Sequence, residues 1–263
     1  MTFDVNFALQ VMLPAANAAY QIMNNPTPPL PSGYTLVGEI LADPAQAAGA
    51  MAAATPLMQG MVAGMLLESN KFGLVAWNPA TTTALVSIRG TQTIQDWAHN
   101  LDAVAVPYIP TAGDGLVHMG FQLVYEHIAA NVRILLSNCA GITQILVTGH
   151  SLGGAVAILA ALDILNNMGF GPTPIMYTFA GPRVAAPDFA ASFNNKIPLL
   201  YRVINCWDLV PQVPLPPYIH VGQEVMVDGG ANPFNPVFNH SLSTYCAALL
   251  KLPGVAPGST CNS

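Results

Sequence analysis

The sequence predicts an α/β fold, with a mostly parallel central sheet covered by helices on both faces. Three observations carry that prediction. Short apolar runs rich in β-branched residues alternate with helical stretches from residue 121 to 204, the pattern of parallel strands joined by crossover helices. One of those runs passes straight through Gly149-His150-Ser151-Leu152-Gly153 into a helix of small residues, a strand–turn–helix junction around a serine. The chain is 52% hydrophobic and only 8% charged over 263 residues, enough apolar surface for one large core.

Taken in order, residues 5–23 read as a helix ended by Asn24-Asn25-Pro26 and a turn-rich stretch to Gly33. Tyr34–Ile40 alternates as a strand, and residues 44–66, rich in Ala and Met, favour helix between Gly and Pro breaks. Phe72–Trp77 and Ala84–Ile88 form a hairpin across Asn78–Thr83. Phe121, Val124, Ile128, Val132 and Leu135 place one apolar stripe on a helix over 121–136. Then come a strand at 145–148, a helix at 153–166, a strand at 174–179, a helix at 187–195 and a strand at 199–204. Tyr218–Val221 and Glu224–Val227 read as an added strand pair, and 242–250 as a closing helix. No repeat or linker cuts the chain, so residues 1–263 are expected to form a single domain, with residues 1–65 as an Ala/Met-rich extension.

Composition narrows the function. Seven Lys and Arg against thirteen Asp and Glu give a net charge of −6 with no basic run, which argues against a nucleic-acid partner. The charge-free runs 44–67 and 134–162 are broken by Gln, Pro, Asn, His and Ser, so neither is the unbroken apolar stretch of a transmembrane anchor. The N-terminal residues have no basic region or apolar core of a secretory signal. Cys139, Cys206, Cys246 and Cys261 lack zinc-site spacing; a Cys246–Cys261 bridge and four free thiols both fit the sequence.

Ser151, bracketed by glycines on a tight turn, is the candidate nucleophile. A serine hydroxyl needs a base, and the base an orienting acid, in chain order Ser, Asp/Glu, His for this arrangement. Only His220 and His240 follow Ser151. His220 lies in an alternating run and reads as a structural sheet residue, whereas His240 precedes a helix and suits a base. Of the intervening acids, Asp163 faces away on the serine's own helix, Asp188 starts a helix, and Glu224 and Asp228 flank the added strand pair. Asp208 follows a core strand and is the expected orienting carboxylate, with Asp228 as the alternative. The N–H of Leu152 and that of Thr91, after the strand ending at Ile88, are the expected oxyanion donors, with the Thr91 hydroxyl as an added one. Thr93 and Asp96 have capping-box spacing, and Ile94, Trp97, Ala98 and Leu101 form one apolar stripe. Residues 92–101 thus read as an ordinary surface helix or as a lid over the site.

Ile88-Arg89-Gly90-Thr91, the Asp96-Trp97 pair, Val117-His118-Met119-Gly120-Phe121, Gly149-His150-Ser151-Leu152-Gly153-Gly154, Phe179-Ala180-Gly181-Pro182-Arg183-Val184 and Asn205-Cys206-Trp207-Asp208-Leu209-Val210-Pro211 together resemble the motifs of the class 3, or fungal-type, triacylglycerol lipases. The resemblance runs from about residue 70 to 250. It implies an α/β-hydrolase fold, a Ser151–Asp208–His240 triad, oxyanion donors at Thr91 and Leu152, a lid near 92–101, and no metal or organic cofactor. The Asp208–His240 interval looks short for the family, and the first 65 residues match nothing in it. The expected activity is hydrolysis of acylglycerols or other apolar esters at a lipid–water interface. A short-chain carboxylesterase, a serine peptidase and a non-catalytic lipid-binding protein on the same fold are the alternatives. The family leans extracellular, and the low charge of the chain is compatible with an oligomer formed through an apolar patch.

Overall fold

The apolar runs assemble into a seven-stranded sheet in the computed structural model, which describes residues 2–91, 104–230, 232 and 235–261. In chain order the strands are β1 (Thr35–Leu41), β2 (Lys71–Asn78), β3 (Thr83–Ile88), β4 (Ala105–Pro107), β5 (Leu116–His118), β6 (Gln144–His150), β7 (Ile175–Phe179), β8 (Leu200–Asn205) and β9 (Gln223–Val227). The main sheet runs β1-β2-β3-β6-β7-β8-β9, while β4 and β5 form a separate antiparallel pair. The β2–β3 hairpin and β1 are antiparallel at one side, and every pairing from β3 to β9 is parallel.

The helices are α1 (Val5–Phe7), α2 (Leu13–Gln21), α3 (Ala48–Ala53), α4 (Pro56–Glu68), α5 (Met119–Ser137), α6 (Leu152–Asn167), α7 (Pro187–Lys196), α8 (Pro236–His240) and α9 (Leu242–Leu249). Successive strand residues feed opposite faces. Ala84, Val86 and Ile88 of β3 with Ile145 and Val147 of β6 join the core under α4, α5, α6 and α7. Leu85 and Leu146, their neighbours in the chain, join the opposite core with α2 and α9. The sheet is therefore buried on both sides, which is why its strands read as continuous apolar runs.

The first helices of the N-terminal extension, residues 5–21, lie on this second face. Ala15, Ala16, Ala18 and Ala19 of α2 are essentially inaccessible, and their small side chains let the helix sit close to β2, β3 and β6. Ser87, a polar side chain of β3 buried at this approach, donates to the Ala15 carbonyl at 2.8 Å. Pro14 carries no N–H and would crowd the carbonyl four residues earlier. The helix widens into a π turn over Ala8–Met12 where that crowding falls, and Leu13 bonds back to Ala8.

Two expectations are corrected here. Tyr218–Val221 is not a strand: Tyr218 and Val221 are both buried, and Tyr218 packs against the His118 ring with centroids 5.2 Å apart. Of the expected pair, Tyr218–Val221 keeps only an isolated bridge from Ile219 to Ala185, whereas Glu224–Val227 lies within β9. Gly222, at φ +72°, then turns the chain so that β9 joins β8 in parallel and closes that sheet edge. His220 is consequently a loop residue and not a sheet residue. The expected helix or lid over 92–101, with Ile94, Trp97, Ala98 and Leu101, lies outside the described residues.

Cys246 of α9 is bonded to Cys261, and Cys139 and Cys206 are free. The bridge closes a 15-residue separation and ties the C-terminal tail to α9. Opening a loop of this size is expected to cost about 2–3 kcal/mol. Cys261→Ser should lower the urea-unfolding free energy by that amount; a change below about 0.5 kcal/mol would show that the tail contributes nothing through the bridge.

Candidate active site

β6 ends at His150 and α6 begins at Leu152, leaving Ser151 alone to make the turn. Its backbone sits at φ +61°, ψ −135°, a conformation that costs a non-glycine residue about 1–3 kcal/mol. Two hydrogen-bonded neighbours hold it there. The Ser151 N–H donates to the Phe179 carbonyl at 2.9 Å, and the Gly154 N–H donates to the Ser151 carbonyl at 2.9 Å. Leu152, as the first helical residue, has an N–H with no acceptor inside the helix.

The bracketing glycines are steric necessities. A Cβ on Gly149 would collide with the Gly153 carbonyl, and one on Gly153 with the Ile88 carbonyl. A Cβ on Gly90 would lie 2.9 Å from the Ser151 Cβ. The strand exit Ile88–Thr91 therefore packs directly against the serine turn. Arg89, wholly buried, pins that exit: it donates to the Lys71 carbonyl at 2.6 Å, the Gly90 carbonyl at 2.8 Å, the Ser69 carbonyl at 3.2 Å and the Glu68 carboxylate at 3.2 Å. The Thr91 hydroxyl donates its single proton to Glu68 at 3.1 Å. In this conformation the Thr91 hydroxyl proton is thus committed to Glu68.

Asp208 follows β8, its N–H bonded to the Asn205 carbonyl at 2.9 Å. One carboxylate oxygen accepts the Val210 N–H at 3.0 Å, and the other accepts His240 Nδ1 and the Tyr245 hydroxyl, each at 2.7 Å. With Nδ1–H committed to Asp208, a neutral His240 carries its lone pair on Nε2. Burial and the adjacent Asp208 push the Tyr245 hydroxyl well above its ordinary range, so it stays a donor. His240 is the last residue of α8, one position before Ser241 caps α9, rather than a residue at the start of a helix. Asn205 holds the surrounding backbone, donating to the Asn239 carbonyl at 2.8 Å and accepting the Gly229 N–H at 3.0 Å.

The structure brings Ser151, Asp208 and His240 to the same end of the parallel strands. The ring of His150, next to Ser151, lies 4.7 Å from the His240 ring by centroids. Ser151 Oγ and His240 Nε2 are both buried without a hydrogen-bond partner, so they are not bonded to each other here. Unpaired buried polar atoms cost about 1–3 kcal/mol each, and these two face a reaction that would use both.

The acids set aside on sequence grounds have structural partners. Asp163 pairs with Arg133 at 2.6 Å and with Tyr125, Glu224 with Arg202 at 3.5 Å, and Asp188 accepts the Leu116 N–H at 3.2 Å near the start of α7. Asp228, the alternative acid, accepts the Gly230 N–H at 2.9 Å. Among the described residues no group of three His, Cys, Asp or Glu side chains is placed to hold a metal ion. Tyr245 and Glu68 were not singled out from the sequence; helical periodicity marks Tyr245 only as a core residue.

A parallel sheet with a serine on a strained strand–helix turn, an acid after a later strand and a histidine after that is an α/β-hydrolase fold. The chain belongs to the class 3 lipase family, whose model matches residues 85–218. It is 32% identical over 238 residues to phospholipase A1-II 3 of Oryza sativa subsp. indica, covering 73% of this chain and 56% of that protein. It is 38% identical over 164 residues to secreted mono- and diacylglycerol lipase 1 of Fusarium solani, covering 59% and 47%. A Rhizomucor miehei lipase structure superposes with a TM-score of 0.53 at 33% identity, covering 59% of this chain and 51% of that one. The chain thus spans about half the length of the curated relatives it matches.

His220 supplies a measurable consequence of the loop correction. Its Nε2 donates to the Pro211 carbonyl at 2.8 Å, and burial, then Arg202, lowers its imidazole to about 3. Between pH 6.5 and 3 the unfolded chain binds a proton that folded His220 refuses, so its contribution erodes as pH falls. His220→Gln, which keeps a donor, should reduce the stability lost between pH 7 and 4.5 by about 1–2 kcal/mol, allowing for partial exposure. An unchanged pH slope in urea unfolding would contradict this reading.

Proposed function

We propose that this chain is a serine hydrolase that cleaves acylglycerol esters through an acyl-enzyme. The observation that carries the proposal is the 2.7 Å bond from His240 Nδ1 to Asp208, which leaves Nε2 open beside the strained serine. In this scheme Ser151 Oγ attacks the ester carbonyl carbon while His240 Nε2 takes the hydroxyl proton. Asp208 holds the imidazole and stabilises its positive charge; Tyr245 and the Val210 N–H hold Asp208. The tetrahedral oxyanion is met by the N–H groups of Leu152 and Thr91. The C–O bond to the alcohol then breaks, with His240 returning its proton to the leaving oxygen. Water, deprotonated by His240, releases the fatty acid and restores the serine. No cofactor enters these steps.

Apolar side chains support a lipid substrate over a small soluble ester. Trp207 and Leu209, flanking Asp208, are 48% and 68% exposed, and Val237 and Phe238, close before His240, are 55% and 42% exposed. Exposed groups of this size beside a site mark an apolar partner. Relatives named for acting on mono- and diacylglycerols and as phospholipases A1 support the same class. The name of the Fusarium relative, a secreted enzyme, supports an extracellular location. Among the described residues no helix is long and apolar enough to cross a membrane. A lid over 92–101 is proposed on its sequence alone, the apolar stripe Ile94, Trp97, Ala98 and Leu101. A single catalytic domain is likewise proposed for residues 1–263, supported by the packing of α2 on three strands of the sheet.

Chromogenic esters of two to eighteen acyl carbons, assayed below and above their solubility limits, test this. The expected result is a preference for long chains with a jump in rate once substrate aggregates. Ser151→Ala should lose at least about a thousandfold in kcat. A smooth decline beyond short chains would identify a carboxylesterase, and activity retained by Ser151→Ala within tenfold would overturn the assignment of the nucleophile.

A further inference from the structure

Behind Ser151 runs a chain of buried polar groups that the acyl-transfer steps do not use. Tyr20, near the end of α2, has its hydroxyl oxygen 3.0 Å from the Gly90 N and 2.8 Å from His150 Nδ1. His150 Nε2 lies 2.8 Å from the carbonyl oxygen of His240. Proton counting sets every direction along it. The Gly90 N–H can only donate, so the tyrosine oxygen accepts from it. The His240 carbonyl can only accept, so the proton of a neutral His150 ring resides on Nε2. Nδ1 is then an acceptor, and the Tyr20 O–H donates to it. Burial, reinforced by His240, holds His150 well below the ordinary imidazole range, and burial raises the Tyr20 hydroxyl. Both groups therefore keep these proton positions across neutral pH.

We propose that Tyr20 is a positioning residue for the reaction, its hydroxyl fixing the loop that carries Thr91 and, through His150, the backbone that carries the His240 base. The inference rests on the ester-hydrolase reading above. Three elements distant in sequence meet at this one oxygen and its partner ring: the exit of β3, the end of β6 and the end of α8. Tyr20 has little freedom to move, because α2 is seated on the sheet by four buried alanines and the Ser87–Ala15 bond. The coupling to the serine is steric as well. At Gly90 an added Cβ would stand 2.5 Å from the Tyr20 oxygen and 2.9 Å from the Ser151 Cβ, so the gap admits no side chain. A displacement of Tyr20 is thereby passed to the oxyanion side and the base side together. Tyr20 lies outside the 85–218 stretch that the family model matches, so this role falls to the N-terminal extension.

Tyr20→Phe removes the oxygen and keeps the ring. The measurement is kcat and KM per serine titrated with a fluorogenic alkylphosphonate, alongside the thermal midpoint. The expected result is kcat per titrated site lowered about tenfold with KM within about twofold, the signature of misplaced reacting groups rather than lost binding. His150→Gln cuts the same chain one bond further on and should give a similar loss. The double variant should be no worse than about twofold below the poorer single, because the two act as one unit. A merely structural role would lower the titre or the thermal midpoint and leave kcat per titrated site unchanged. Such a result, or losses that multiply in the double variant, would overturn the proposal while leaving the ester-hydrolase reading intact. If Tyr20→Phe yields no folded protein, His150→Gln alone decides. A wild-type chain that neither labels nor turns over would sink the function reading itself.

Discussion

The backbone of Ser151 is the constraint on which the rest of the molecule turns. A residue with a side chain held at φ +61° stores strain that the surroundings must over-determine. They do so by crowding. The turn is clamped between the β7 carbonyl at Phe179 and the first turn of α6, and Gly149, Gly153 and Gly90 are the only residue type that fits at their positions. α6 contributes its own anchorage, with buried side chains along almost its whole length between sheet and α5. Stability of the helix and placement of a hydroxyl at the end of the strands are thus two effects of one tight turn.

Around that turn the polar groups are arranged so that few can reorient. Arg89 spends its guanidinium on three carbonyls and Glu68; Asp208 is held by a backbone N–H and a tyrosine; His240 is held at its ring by Asp208 and at its carbonyl by His150. Such fixed dipoles in a buried setting are worth more than the same groups in water, because they need not reorganise when charge develops. The two atoms left unpaired at the centre, Ser151 Oγ and His240 Nε2, are the two that the proposed chemistry joins through one proton.

Much of this was legible in the residue order. Continuous apolar runs marked β2, β3, β6, β7 and β8, because burial on both faces leaves little room for polar residues along them. The serine turn could be read locally, since the strand, the turn Gly149–Gly153 and the following helix are contiguous in the chain. Asp208 and His240 followed from chain order and from the placement of Asp208 after a strand. The strand expected at Tyr218–Val221 was not found: its two buried side chains, Tyr218 and Val221, lie three residues apart and pack beneath a loop rather than along a ladder. Tyr20 carried no local signal at all. Its partners lie 70 and 130 residues away, and only the folded sheet, with an alanine-faced helix pressed against it, brings them together.

The central claim is that this strained serine is a nucleophile activated by His240. The most direct measurement is intact-mass and peptide-mapping mass spectrometry after incubation with a long-chain alkylphosphonate ester. The account predicts one adduct per chain, located on Ser151, formed at a rate that collapses in His240→Gln. Labelling at another residue, or labelling of Ser151 that is indifferent to His240, would contradict it.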